Sequence, residues 1–139
     1  MNHTNTTART TSGGCLCGAV RYEIHGALRD VVNCHCEQCR RTHGHFSAYT
    51  KCARSALKLT AADTLEWYAS SAAARRGFCA TCGSSLFWEP SNDSGISIAA
   101  GTLDSPTGLH TIQQIFVDGA GDYYDIDDRL PQLPGSMSQ

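Results

Sequence analysis

Several things are scarce in this 139-residue chain, and each scarcity removes a class of protein. Net charge is nearly absent: the formal balance is −2, so the chain has no global attraction to nucleic acid or anionic lipid. Arg40-Arg41 and Arg75-Arg76 are local basic pairs only. No apolar run approaches the length of a membrane span. Residues Met1 to Ser12 are rich in Thr and Asn with no apolar segment, which predicts no signal peptide and a cytoplasmic location. Internal repeats, interdomain linkers and low-complexity tracts are missing, and helical periodicity is almost missing. The length suits one domain.

Cysteine is the opposite case, with eight residues. In a secreted domain an even count of this kind would indicate disulfides. A reducing cytoplasm opposes that, and C-x-C and C-x-x-C spacings suit metal chelation, with a redox dithiol as the alternative. Bound metal also answers a stability question, because a small β-rich domain has a limited core and a tetrathiolate zinc adds folding free energy directly.

Cys34-His35-Cys36-Glu37-Gln38-Cys39-Arg40-Arg41 places three thiols within six positions and follows them with two guanidinium groups. A tight turn can aim these three sulfurs at one ion, whereas a fourth ligand from the same segment would strain the loop. An incompletely ligated zinc keeps room for water or substrate; a structural zinc is closed by four protein ligands. Cys15-Leu16-Cys17 and Cys79-Ala80-Thr81-Cys82 together supply four such thiols. Two pairings remain open on spacing. One joins Cys15/Cys17 to Cys79/Cys82 and leaves Cys34, Cys36 and Cys39 together. The other joins Cys36/Cys39 to Cys79/Cys82 as a zinc ribbon. Cys52, on a strand, reads as a small buried apolar residue.

The rest of the chain reads as short strands. Residues 1–13 read as a flexible arm and 135–139 as a tail, leaving 14–134 as a zinc domain. Val20, Tyr22 and Ile24 alternate with Arg21 and Glu23, the pattern of a half-buried strand. Val31 to Asn33 is a second strand, and Glu37 to Thr42 closes into about one helical turn stopped by Gly44. Phe46 to Cys52 alternates again; Leu57 to Thr60 pairs back after a turn at Arg54–Ala56. Thr64 to Ser70, Ser84 to Glu89, Ile96 to Gly101 and Ile112 to Val117 complete the strands. Ala72 to Ala74 has helical propensity but is too short to nucleate a helix. Leu130 to Pro134 suits an extended surface segment. The whole predicts an all-β domain of short antiparallel strands.

Four ordered motifs resemble the glutathione-dependent formaldehyde-activating enzyme family, which includes the centromere protein V relatives. They are Gly14-Cys15-Leu16-Cys17-Gly18-Ala19-Val20, Cys34-His35-Cys36-Glu37-Gln38-Cys39-Arg40, Phe78-Cys79-Ala80-Thr81-Cys82-Gly83-Ser84 and Ala100-Gly101-Thr102-Leu103-Asp104. The resemblance runs from about Gly14 to Pro134 and implies a β-tent-type fold with two zinc ions per chain. It assigns Cys15, Cys17, Cys79 and Cys82 to a structural zinc, and Cys34, Cys36 and Cys39 to an active-site zinc. The sequence departs from the family pattern at Gln114-Ile115, where His-Ile is common, and at Tyr123, where a Trp is common. His43 and His45 also stand where the family often has small residues.

The activity implied is the joining of glutathione and formaldehyde to S-(hydroxymethyl)glutathione, formally a carbon–sulfur lyase run backwards. A thiol coordinated to an open zinc loses its proton near neutral pH and can attack a small aldehyde. Three thiolates leave such a zinc weakly Lewis-acidic, so it suits sulfur activation better than ionisation of water. Arg40 and Arg41 are candidates for a substrate carboxylate, against solvated turn residues. His35 is a candidate proton shuttle, although a side chain between two ligands usually points away from the metal. His43 is a candidate fourth ligand or acid/base, against a surface histidine. Trp67 and Trp88 could line a pocket or fill the core. The competing functional reading is a non-catalytic zinc β-domain serving as a protein-interaction or chaperone module. A nucleic-acid-binding zinc ribbon fits the weakly acidic balance poorly.

Overall fold

The computed structural model describes residues 9–136. It is all β apart from one short helix and three 3-10 turns among the described residues, and it forms two compact units. One holds residues 9–29 with Thr50–Gly108; the other holds Asp30–Tyr49 with residues 109–136.

The first unit begins with a correction. Part of the arm expected over 1–13 is strand β1 (Thr10–Gly14), while residues 1–8 lie outside the described residues, as do 137–139 of the expected tail. β1 pairs antiparallel with β2 (Arg21–His25), Thr11 facing Ile24 and Gly13 facing Tyr22. Thr-rich polar sequence hid a strand because Thr, being β-branched, suits the pleated backbone as well as it suits a solvated arm. β5 (Leu57–Ala61) lies on the other side of β2, with Leu59 opposite Tyr22 and Leu57 opposite Ile24. The segment that was expected simply to pair back thus joins a strand more than thirty residues earlier, where Leu57 is buried.

A meander of β6 (Leu65–Ser71), β7 (Ala74–Cys79), β8 (Ser85–Pro90) and β9 (Gly95–Ala99) completes this unit, each strand antiparallel to the next. Ala72 and Ala73 form the β6–β7 turn. Leu86, Phe87, Ile96 and Ile98 are buried, and the Tyr22 ring meets Phe87 edge-on at 5.4 Å. Trp67 stacks on Phe87 at 5.9 Å and carries the Arg75 guanidinium 3.9 Å from its centroid. Of the two roles open to Trp67, packing within this sheet is the one seen.

In the second unit β3 (Arg29–Cys34) lies between β10 (Thr111–Ile115) and β4 (Ser47–Ala53), residues 47–49 of β4 belonging here. β3 and β10 run parallel, with Val31 opposite Thr111 and Cys34 opposite Ile115. Val31 to His35 are buried in succession, as expected of a strand covered on both faces. β10 stops two residues short of expectation because Phe116 takes a left-handed φ of 53° and opens a 3-10 turn over Val117–Gly119. The extended segment near the end of the chain lies beside β10: Gln114 N donates to Pro131 O at 2.9 Å and Leu133 N to Gln114 O at 2.9 Å.

Candidate metal centres

Two knuckles bring the first four sulfurs together. Cys15 and Cys17 follow β1, Cys79 ends β7, and Cys82 ends the turn that leads towards β8. Each knuckle closes on a glycine with φ near 82°, Gly18 and Gly83, a conformation that a Cβ would penalise. Gly18 N donates to Cys15 O at 3.2 Å and Gly83 N to Cys79 O at 2.7 Å, so both loops curl their sulfurs inward. All four sulfurs lie within 4.8 Å of one another, with 3.6 Å from Cys15 to Cys17 and 3.8 Å from Cys17 to Cys79. A tetrahedron with metal–sulfur bonds of about 2.3 Å has corners roughly 3.8 Å apart, so these residues fit a zinc-sized ion. Neighbouring donors favour the thiolates: Val20 N points to Cys15 Sγ at 3.2 Å, Thr64 Oγ1 lies 3.3 Å from Cys79 Sγ and Ser84 Oγ 3.2 Å from Cys82 Sγ. The Ser84 hydroxyl and backbone N–H hold the Cys82 thiol down to about 5, and the Thr64 hydroxyl lowers Cys79. The zinc-ribbon pairing of Cys36/Cys39 with Cys79/Cys82 is not the one the fold makes.

The second cluster is local. Cys34 ends β3, Cys36 is the N-cap of helix α1 (Glu37–His43), and Cys39 sits in its first turn. The Cys36 sulfur accepts from Cys39 N at 3.3 Å, and Gly44 closes the helix in the left-handed conformation, donating to Arg40 O at 2.7 Å. Cys34, Cys36 and Cys39 place their sulfurs within 4.8 Å of one another; among the described residues no His, Asp or Glu joins them. Cys34 and Cys39 are buried and Cys36 is partly exposed. The facing thiols of Cys36 and Cys39, then burial, push the Cys34 thiol well above its ordinary range. A divalent cation at the centre removes that mutual repulsion, so this trio also fits a metal. Cys52 belongs to neither cluster; it is buried, and burial pushes its thiol up to about 11.

The other sequence-predicted residues fall around this turn in different ways. His35 is 1% exposed and is not grouped with the sulfurs. Its Nδ1 lies 2.6 Å from the Tyr124 hydroxyl and its Nε2 2.7 Å from Gln114 Oε1. His43 Nε2 lies 3.0 Å from the Tyr49 hydroxyl and likewise is not grouped with the sulfurs. Arg40 is half-buried and donates through Nε to Gly119 O at 3.2 Å, whereas Arg41 is exposed and pairs with Glu37 at 2.9 Å. Gly119 lies against the cysteine turn itself: a Cβ there would come within 3.1 Å of Cys36 Cα and 3.2 Å of His35 O.

Sequence reasoning did not place an aromatic cluster beside this turn. Phe46 lies 4.9 Å from the His35 ring, His45 4.6 Å from Tyr124, and Tyr123 4.7 Å from Tyr124. A second short bond joins His45 Nδ1 to the Tyr123 hydroxyl at 2.6 Å. The available signal was the pairing of Tyr123-Tyr124 with Gly119, which permits close approach to the cysteine turn, and with Gly121, which lies against the Tyr123 ring.

The described residues thus form a mostly β fold with one four-thiol and one three-thiol cluster, each of which could hold a metal ion. The glutathione-dependent formaldehyde-activating enzyme family matches residues 10–119, most of the chain, and the protein belongs to that family. Membership supports a glutathione-dependent, formaldehyde-activating role in general. A crystal structure of a Rhodobacter sphaeroides protein is similar with a TM-score of 0.59 and 23% identity, over 87% of this chain and 98% of that one. At that identity the likeness bears on the fold alone. No helix among the described residues is long and apolar enough to cross a membrane.

Proposed function

We propose that this protein is a zinc-dependent enzyme of the carbon–sulfur lyase type that joins a glutathione-like thiol to a small aldehyde, and reverses the reaction. The supporting observation is the trio Cys34, Cys36 and Cys39: three convergent sulfurs with no fourth side chain from the described residues to close them. Four-thiol closure of the other cluster supports a structural role for Cys15, Cys17, Cys79 and Cys82.

The reaction is redox-neutral. The thiol sulfur bonds to the carbonyl carbon, the π pair moves to oxygen, and the thiol proton ends on that oxygen as a hemithioacetal hydroxyl. A zinc ion held by Cys34, Cys36 and Cys39 would supply a lowered pKa for an incoming thiol. The protein's own contribution is placement. Arg40, fixed through Nε by Gly119 O, presents its guanidinium for a glutathione carboxylate; Arg41 is already occupied by Glu37. His35 and His43 spend ring nitrogens on Tyr124, Gln114 and Tyr49, which supports structural roles for both rather than direct acid/base duty.

The test is exchange NMR on zinc-loaded protein with glutathione and carbon-13-labelled formaldehyde. Hemithioacetal formation should be faster than in buffer. Protein with two bound zinc equivalents that leaves the exchange rate unchanged overturns this function.

A further inference from the structure

Strand β6 leaves one side of its backbone unused. It is the outer strand of its meander, hydrogen-bonded to β7 and to no other strand among the described residues. Ala80 N donates to Thr64 O at 2.8 Å, which marks Thr64 and Ala80 as a hydrogen-bonded pair. Bonded and non-bonded pairs alternate along an antiparallel ladder, so Glu66/Phe78 and Tyr68/Arg76 are bonded pairs too. Leu65, Trp67 and Ala69 therefore turn their N–H and C=O groups away from β7. Leu65 spends its N–H on Ala62 O at 3.1 Å, and a register shift after Ala69 ends the regular ladder. Trp67 and Ala69 keep two donors and two acceptors pointing outward, the pattern of an open sheet edge. Tyr68 stands between them and is 65% exposed. Lysine and proline, which commonly blunt such edges, are absent from Leu65-Glu66-Trp67-Tyr68-Ala69.

We propose that this edge is a homodimer interface, in which a second copy of the chain lays its own β6 antiparallel to the first about a two-fold axis at Tyr68. The free groups choose the register. An axis at Tyr68 sets Trp67 opposite Ala69 of the second copy and Ala69 opposite its Trp67. All the outward donors and acceptors of these residues are then used, in four bonds. An axis at Trp67 would instead oppose Ala69 to Leu65, whose N–H already goes to Ala62 O. The Tyr68 axis also brings the two Tyr68 side chains together in a non-hydrogen-bonded pair, where side chains come closest and aromatic pairs are favourable. Glu66, the charged residue of the segment, faces Ser70 of the second copy, so no like charges meet. An unrelated partner would have to supply a matching strand, whereas an isologous contact supplies it from the same sequence. β6 carries none of the thiols, so pairing there is independent of the thiol–aldehyde reading.

Sedimentation equilibrium and amide exchange on the full zinc-loaded chain test it. Wild-type protein should sediment as a dimer; a monomer at every concentration up to about 1 mM overturns the inference. Tyr68→Lys places two ammonium groups face to face on the axis and should weaken association at least about tenfold. Ala69→Pro removes an outward N–H, a change that an edge strand tolerates, and by symmetry deletes two of the four bonds. It should weaken association by a similar factor, with circular dichroism and zinc content as in wild type. A dimer as tight as wild type in either folded variant assigns the contact to another surface and overturns the inference. Wild-type protein gives a check that needs no variant. In its dimer the amide protons of Trp67 and Ala69 should exchange slowly, although neither has an acceptor among the described residues. Exchange at both positions as fast as in an open strand overturns the inference even if the protein is dimeric.

Discussion

The two thiol clusters are built from the same residue type and make opposite use of the chain. Cys15/Cys17 and Cys79/Cys82 meet across some sixty residues, with Ser84 bridging the knuckles: its hydroxyl accepts from Leu16 N at 2.9 Å and touches Cys82 Sγ at 3.2 Å. Cys34, Cys36 and Cys39 lie within one turn and gain almost nothing from closing a loop. A metal joining distant segments offsets a large loss of chain entropy, so it supports the fold. A metal on a local turn constrains little of the chain and is free to serve chemistry. The surroundings agree: hydroxyl and N–H donors crowd the first cluster, whereas the second adjoins a half-buried arginine and a group of aromatic rings.

The sharpest way to break this comparison is to remove one sulfur from each. Cys79→Ser should prevent recovery of folded protein, because apparent zinc binding of about 10–16 kcal/mol at structural sites exceeds or matches the net stability of a small domain. Circular dichroism and metal analysis check it; a folded variant holding one zinc equivalent would dissolve the distinction. Cys36→Ser should fold, since serine is a good N-cap and its hydroxyl can accept from Cys39 N in place of sulfur. It should lose one metal equivalent and at least about a hundredfold in thiol–aldehyde turnover, measured as rate per bound zinc.

Ser84→Ala sharpens the electrostatic side. A thiol held low in the folded state adds stability that is present above its ordinary value of 9.0 and is lost as pH falls through about 5 for Cys82. Removing the hydroxyl raises that lower limit, so metal release on acidification should begin at a higher pH, with affinity for the first metal down about tenfold. A chelator titration followed across pH reads this, and the second metal should be unaffected. The smallest effects separate the adjacent arginines. Arg40→Ala should raise KM for glutathione about tenfold through loss of a charge-assisted bond. Arg41→Ala, which removes an exposed i,i+4 pair, should cost no more than about 0.5 kcal/mol of stability and leave KM alone.

What the sequence determined by itself was whatever depends on neighbours along the chain. Sulfur spacing marked three local thiol groups, alternation set Tyr22 and Ile24 as core, and Gly44 set the end of α1, because each is a matter of bonds spanning a few residues. Only the tertiary structure decided which knuckle faces which, that Leu57 packs against Ile24, and that Thr10–Gly14 is a strand. It alone brought Gln114 and Tyr124 to His35, 79 and 89 residues away. Local spacing cannot encode such partners: the parallel pairing of β10 with β3 carries Gln114 into the site, and no residue near Cys34 announces it.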